Sequence, residues 1–303
     1  MMVRMPSKKV EISKYTGADY EYDYRQLHKM DEVAIAEYAA SLQRRLNGIE
    51  LTPANAEQWI VRTYASVKYL LAASLMLDSA GFAAARNLKI VVPYLLYYGI
   101  FNVSRSVFMM LPEQTWNGGR ILDEVTHKKV QNVVADTLRY FSASLAHRYR
   151  DTYARAIATR EMFSYKFPAL GLTGHLKEVV PDLNEVIDIC EFLADAAQFH
   201  SECIQRRFAS LPDEKLPIQS ETLKRFFKYE HKSLEVPFAD KEDWYRLWQF
   251  GKHSNRPWSL HLTARPGLVE DFFGAWSPSD EEGPRDDQYD PDESDPRLIF
   301  DFA

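Results

Sequence analysis

Apolar residues recur every three or four positions through most of the first 210 residues, the period of helices that bury one face. In "TPANAEQWIVRTYASVKYLLAASLMLDSAG" the stripe is Ile60, Tyr64, Val67, Leu71 and Leu75. Thr52 stands where an N-cap hydroxyl would, and Pro53 where a helical N–H is dispensable. Gly81 is placed to end that helix as a C-cap glycine. A second helix is predicted from Phe82 to Met110, kinked at Pro93 and stopped by Pro112. A third spans Lys128 to Phe163, apolar at Val130, Val134, Leu138, Phe141, Leu145, Tyr149 and Ala156. A fourth runs from Pro181 to Ala209, and an earlier one covers Asp31 to Leu46. Long helices with single apolar stripes and short connections predict a mostly α protein, an antiparallel helical bundle.

Beyond Leu211 the periodicity breaks. Prolines punctuate the chain, and Trp244, Trp248, Trp258 and Trp276 concentrate there. Aromatic density of this kind argues for a small irregular subdomain anchored on the bundle rather than a free linker. The division expected is an N-terminal arm at 1–30, a helical bundle at 31–211, a Trp-rich subdomain at 212–276 and an acidic tail at 277–303.

Charge sharpens that division. The net charge is −6, but 277–303 alone carries ten acids against two bases. The body is therefore close to neutral. The tail ends on the apolar tip "LIFDFA", and an acidic segment with such a tip can mimic nucleic acid or recruit a protein. It is a candidate to cover a basic surface of its own chain, against the plainer reading of a solvated tail.

Two cysteines, Cys190 and Cys203, fall on one predicted helix, about 20 Å apart along its axis and too far to pair within it. With no apolar leader in "MMVRMPSKKVEIS", a cytoplasmic setting is expected. The longest apolar run, Ile90 to Phe101, is shorter than the roughly 20 residues a bilayer requires, so no membrane span is expected.

The stretch "PYLLYYGIFNVSRSVFMMLP" resembles the second core helix of HEPN-type helical domains. There a Tyr-Tyr pair, a small residue, an apolar pair, a His and an Arg follow one another. Tyr97, Tyr98, Gly99, Ile100, Phe101, Asn102 and Arg105 occupy that pattern. The form P-x-L-L-Y-Y-G is closer still to the YaaC-like branch, and "THKKV" at Thr126 to Val130 is similar to its later His-containing segment. The resemblance covers residues 50–210. It implies a HEPN-like bundle, no cofactor, and RNA-directed work in a prokaryotic defence or toxin-type system. It also implies a metal-free Arg/His pair for cleavage, with the His as acid or base and the Arg stabilising phosphate charge. Here Asn102 takes the His position and Leu95 the Arg position, and neither side chain can do that chemistry. Arg120 and His127 are a displaced pair of suitable spacing, although Arg246 and His253 match it equally well. A non-catalytic or weakly catalytic module that binds RNA or a partner protein is the leading expectation. A displaced-site endoribonuclease and a pure scaffold are the alternatives, and a homodimer is compatible with each.

Gly99, Asn102 and Ser106, small or polar on one face, suit a close helix crossing bridged by the Asn102 amide. Lys128 to Lys166 holds eight bases and three acids. On one continuous helix Arg139 and Arg150 would share an azimuth, with Lys129 and His147 beside them, Arg148 and Arg155 on one margin and Arg160 on the other. With Tyr140 and Tyr153 interleaved, this stripe offers phosphate contacts and base stacking to RNA or single-stranded nucleic acid. The competing reading is that these cations serve acidic chain within the protein. The Trp-rich segment presents a similar choice between stacking a base and anchoring the subdomain, with anchoring favoured. His200 continues an apolar stripe and reads as a satisfied histidine at the core edge. No metal-ligand spacing, phosphate loop or nucleophile elbow occurs.

Overall fold

The computed structural model describes residues 9–122, 125–169, 178–212, 228–231, 234–237, 240–278, 288–291 and 297–302. They form a mostly helical bundle. Helix α1 is Ser13–Thr16, α2 Glu32–Asn47, α3 Pro53–Ala85, α4 Val92–Met110, α5 His127–Phe141, α6 Ala143–Tyr165 and α7 Leu183–Phe208. A two-stranded antiparallel hairpin follows, β1 Lys228–His231 against β2 Leu234–Pro237. Helices α8 Lys241–His253, α9 Leu260–Thr263 and α10 Pro266–Gly274 come last.

The core is the α3–α4 pair. Between these helices Arg62 meets Met109, Ser66 meets Ser106 and Met76 meets Asn102, a descending register that makes them antiparallel. The crossing is close because small residues sit at it. A Cβ on Gly99 would stand 2.7 Å from Leu77 Cδ2, and the Ser66 and Ser106 hydroxyls are 2.6 Å apart. Helix α6 packs antiparallel to α4, with Tyr149 at Ser104 and Ser164 at Tyr94. Helix α7 packs antiparallel to α6, with Glu185 at Thr152 and Asp188 at Arg148. Helix α2 departs from the expected pattern. Tyr38 meets His200 and Leu46 meets Arg207, an ascending register, so α2 and α7 run parallel. Four intervening helices allow this; a short hairpin connection would not.

Three expected boundaries move. Helix α3 runs through Gly81 to Ala85, and the reversal is made at Asn87, which takes φ 61°. A single glycine costs a buried helix only about 1 kcal/mol, less than breaking it would. Pro93 sits in the first turn of α4 rather than at a kink, where its missing N–H has no intrahelical acceptor to lose. The helix expected from Lys128 to Phe163 is two helices. Ser142, at φ −165° and ψ 129°, ends α5, and its hydroxyl accepts from Leu145 N to cap α6.

Of the N-terminal arm, residues 9–30 are described and pack on the bundle: Ile12, Tyr24 and Leu27 are buried, and the Gln26 and Leu27 N–H groups donate to Asp195 Oδ2 at 2.7 and 2.9 Å. The region after Leu211 is regular where described. Asp240 and Asp243 form a capping box for α8, Ser259 caps α9, and Pro266 opens α10. The remainder of the Trp-rich subdomain, 213–227, 232, 233, 238 and 239, lies outside the described residues, as does most of the acidic tail. Its described parts are docked: Ile299, Phe300 and Phe302 are buried, and Tyr289 Oη donates to Asp78 at 2.7 Å. The apolar tip packs against Tyr22 and the backbone at Asp301 meets His261.

Helix α3 is long and apolar enough to cross a membrane by length and composition. In the bundle its apolar residues Trp59, Val61, Leu70, Leu71 and Leu77 are covered. Cys190 and Cys203 are buried and free.

Candidate functional site

His127 begins α5, directly after the capping Thr126, and is exposed. One face of its imidazole stacks on Phe101, centroids 4.1 Å apart, and Tyr97 stacks beside it at 5.8 Å. Its Nδ1 is hydrogen-bonded to the Tyr97 hydroxyl. Two cations flank this cradle. The Arg160 guanidinium lies 4.8 Å over the Tyr97 ring, and Arg105 packs 5.7 Å over Phe101 while donating to Leu122 O at 2.8 Å.

The electrostatics follow from that geometry. Partial burial lowers the His127 pKa below the ordinary imidazole value, and the charges of Arg160 and Arg105 lower it further. The ring is therefore neutral near pH 7. Burial pushes the Tyr97 hydroxyl up to about 12, against the opposing pull of Arg160, so it remains a phenol that can donate. Nearby, Tyr98 is 37% exposed and contacts Tyr97 edge-on, and the Tyr94 hydroxyl accepts from Ser164 at 3.3 Å. Tyr165 and Phe167 stand exposed where α6 ends. The face so built combines a neutral imidazole, guanidinium groups and accessible rings.

The partner expected for His127 was Arg120, which lies exposed on the 3-10 turn Asn117–Leu122. The cations acting on His127 are instead Arg160 and Arg105. Sequence spacing missed Arg105 because 22 residues separate it from His127; its place in the Tyr-Tyr pattern was the available signal.

The break at Ser142 folds the expected basic stripe into a hairpin. Arg139 and Arg150 converge on one carboxylate, Asp136, at 3.3 and 3.0 Å. Arg148 pairs with Asp188 at 3.3 Å. Arg155 pairs with Asp151 at 2.9 Å and with Glu185. Arg160 pairs with Glu161 at 3.3 Å. Lys129 is exposed on α5, its ammonium 5.6 Å from the Phe108 ring, and His147 is exposed on α6. The cations are thus spread over two helices and largely matched by acids.

Asn102 does span the α3–α4 crossing: its Nδ2 donates to Met76 Sδ at 3.4 Å. The same residue borders a cleft of about 510 Å³ shared with Lys68, Asp243, Arg246 and Trp276. There Tyr64 Oη and Lys68 Nζ each donate to Asp243 at 2.7 Å. His200 lies fully inside the core rather than at its edge. Its Nε2 bonds the Tyr38 hydroxyl, its Nδ1 has no partner among the described residues, and burial pushes its pKa down to about 3. Among the described residues no group of three His, Cys, Asp or Glu side chains is placed to hold a metal.

Comparison of the chain with protein-family models, with curated proteins and with solved structures finds no match.

Proposed function

We propose that this chain is a HEPN-like RNA-binding module of a prokaryotic defence or toxin-type system. Its contact face is the one carrying His127, Tyr97, Tyr98 and Arg160. The observation that supports this most is the pairing of an exposed imidazole with two guanidinium groups in an aromatic cradle. Cations attract phosphates, and rings accept unstacked bases without regard to sequence. Fluorescence anisotropy of labelled single-stranded RNA tests the reading. Arg160→Gln and Tyr98→Ala weaken binding, whereas Arg139→Gln, near the far end of α5 from His127, leaves it within about twofold. Failure of both the full-length protein and a variant lacking residues 277–303 to retain RNA at low salt would overturn this reading and leave partner-protein binding or a pure scaffold.

A second reading, metal-independent RNA cleavage, draws on one specific feature. A lowered pKa keeps His127 neutral near pH 7, the state in which an imidazole takes a proton from a ribose 2′-hydroxyl. Arg160 and Arg105 would then offset the charge that builds on phosphorus in the transition state. Cleavage that persists in EDTA and vanishes in His127→Ala is the expected outcome. Cleavage unchanged in that variant excludes the site.

A further inference from the structure

Away from His127, helices α8, α9 and α10 close over α3 around a small pocket of about 110 Å³. Ile60, Phe250, Trp258 and Leu268 give it apolar walls. Phe250 and Trp258 meet edge to face at 4.6 Å, which fixes both rings. Among the described residues no carboxylate lines the pocket, but Arg246, His253 and Arg265 do.

The two arginines are not equivalent. Arg246 donates to Gly267 O at 3.1 Å and is paired with Asp271, so its charge is already met. Arg265 is exposed and lies 4.3 Å over the Trp258 ring, with no carboxylate partner among the described residues. A guanidinium stacked on a ring keeps its N–H edge free to donate in the ring's plane. The second observation is independent of charge. Thr263 lines the same pocket, is 8% exposed, and its hydroxyl has no hydrogen-bond partner among the described residues. Native proteins rarely leave a buried hydroxyl unpaired, and a ligand oxygen at this position would satisfy it.

We propose that this pocket binds a small organic anion: a carboxylate carried on a compact apolar body. The volume sets the body's size. Benzene occupies an engineered apolar cavity of about 150 Å³, so a pocket a little smaller takes one ring or a short branched chain, with the carboxylate toward the mouth. Apolar walls with a few convergent polar groups are the usual composition of small-molecule sites. The acid-free lining selects an anion over an amine. A bare inorganic anion gains nothing from the walls.

Isothermal titration and ligand-detected NMR on the full chain test this with benzoate, isovalerate, benzyl alcohol, benzylamine and inorganic phosphate. Benzoate or isovalerate binds saturably, benzyl alcohol binds about tenfold more weakly or worse, and benzylamine and phosphate do not compete. Arg265→Gln, an exposed change that leaves the fold intact by circular dichroism, weakens the carboxylate about ten- to hundredfold. Thr263→Val, which preserves shape, weakens it by a smaller factor, and Arg139→Gln leaves it unchanged. The proposal is overturned if neither carboxylate binds at about 10 mM, if benzyl alcohol binds as tightly as benzoate, or if Arg265→Gln has no effect.

Discussion

The imidazole of His127 lies on the ring of Phe101, centroids 4.1 Å apart and planes 20° from parallel. Stacking removes water from one face of the ring, and Arg160 and Arg105 add like charge. Both disfavour the protonated form. In an NMR titration the His127 ring protons should move with a midpoint below the ordinary 6.5 or so. Arg160→Gln should shift that midpoint back up. Between the folded midpoint and the unfolded one the folded state binds fewer protons, so this group makes stability rise with pH there. A midpoint at or above the free value would remove the basis for treating His127 as a neutral base.

Two buried groups should oppose each other in the same pH range. His200 is neutral in the fold, with its pKa pushed down to about 3 by burial. Between about 3 and 6.5 it makes the protein more stable as pH rises. Burial raises Asp195 to about 7 despite N–H groups from Gln26 and Leu27 that act to lower it. A carboxyl protonated in the fold and ionised in the unfolded chain loses stability as pH rises, here from about 4 to about 7. Burial also raises Glu202, which acts in the same direction as Asp195. Urea midpoints of the wild type should therefore change little across pH 4.5 to 6.5. Asp195→Asn should make stability rise with pH, and His200→Gln should make it fall. Parallel profiles for all three proteins would contradict the assignment.

Arg62 is an unusual helix stop. Its buried guanidinium lies 3.9 Å over Trp59 and donates to Met109 O at 2.7 Å, Leu111 O at 2.8 Å and Gln114 O at 3.0 Å. Carbonyls at the end of α4 would otherwise be stranded in the core, and desolvation has already pulled the arginine down to about 9. Arg62→Met takes a donor from all three carbonyls, of which Leu111 O keeps the Gln114 N–H at 3.2 Å, and a buried carbonyl left unpaired costs about 1–3 kcal/mol. Loss of at least about 3 kcal/mol, or failure to fold, is expected by chemical denaturation. Arg62→Lys should recover only part, because one ammonium cannot span all three acceptors.

Residues 298–302 act as a plug. Phe300 is fully buried against Tyr22 and Phe302. Arg25 donates to Leu298 O at 2.8 Å, and His261 Nδ1 meets Asp301 O at 2.7 Å. Phe300→Ala should cost about 3–5 kcal/mol. Truncation before Leu298 should do comparable damage and speed hydrogen exchange at Tyr24 and Leu27. A truncated protein as stable as the full chain would show that the tip contributes nothing.

The helices were legible wherever one face is apolar and a capping residue stands at the start. Thr52 accepts from Asn55 N–H as its position leads one to expect, whereas the caps at Asp31 and Ser259 became visible only in the folded chain. The α3–α4 crossing was legible too, because Gly99 and Ser106 are small on a face that is otherwise large. What misled was continuity. Gly81 and Pro93 looked like interruptions, yet helix packing absorbed the first and a first-turn position excused the second. Ser142 looked like an interior residue, and only its extended backbone reveals the corner that folds α5 onto α6.

Period and composition by themselves settled that this chain is mostly helical, where its apolar faces lie and that its ends differ in charge. These are local properties, carried by residues three or four apart. Which cation faces which acid, which way α2 runs against α7, and which arginines reach His127 were decided only in the folded chain. Contacts between residues separated by tens or hundreds of positions depend on where corners such as Asn87 and Ser142 turn the backbone, and side-chain pattern along a helix carries no record of those corners.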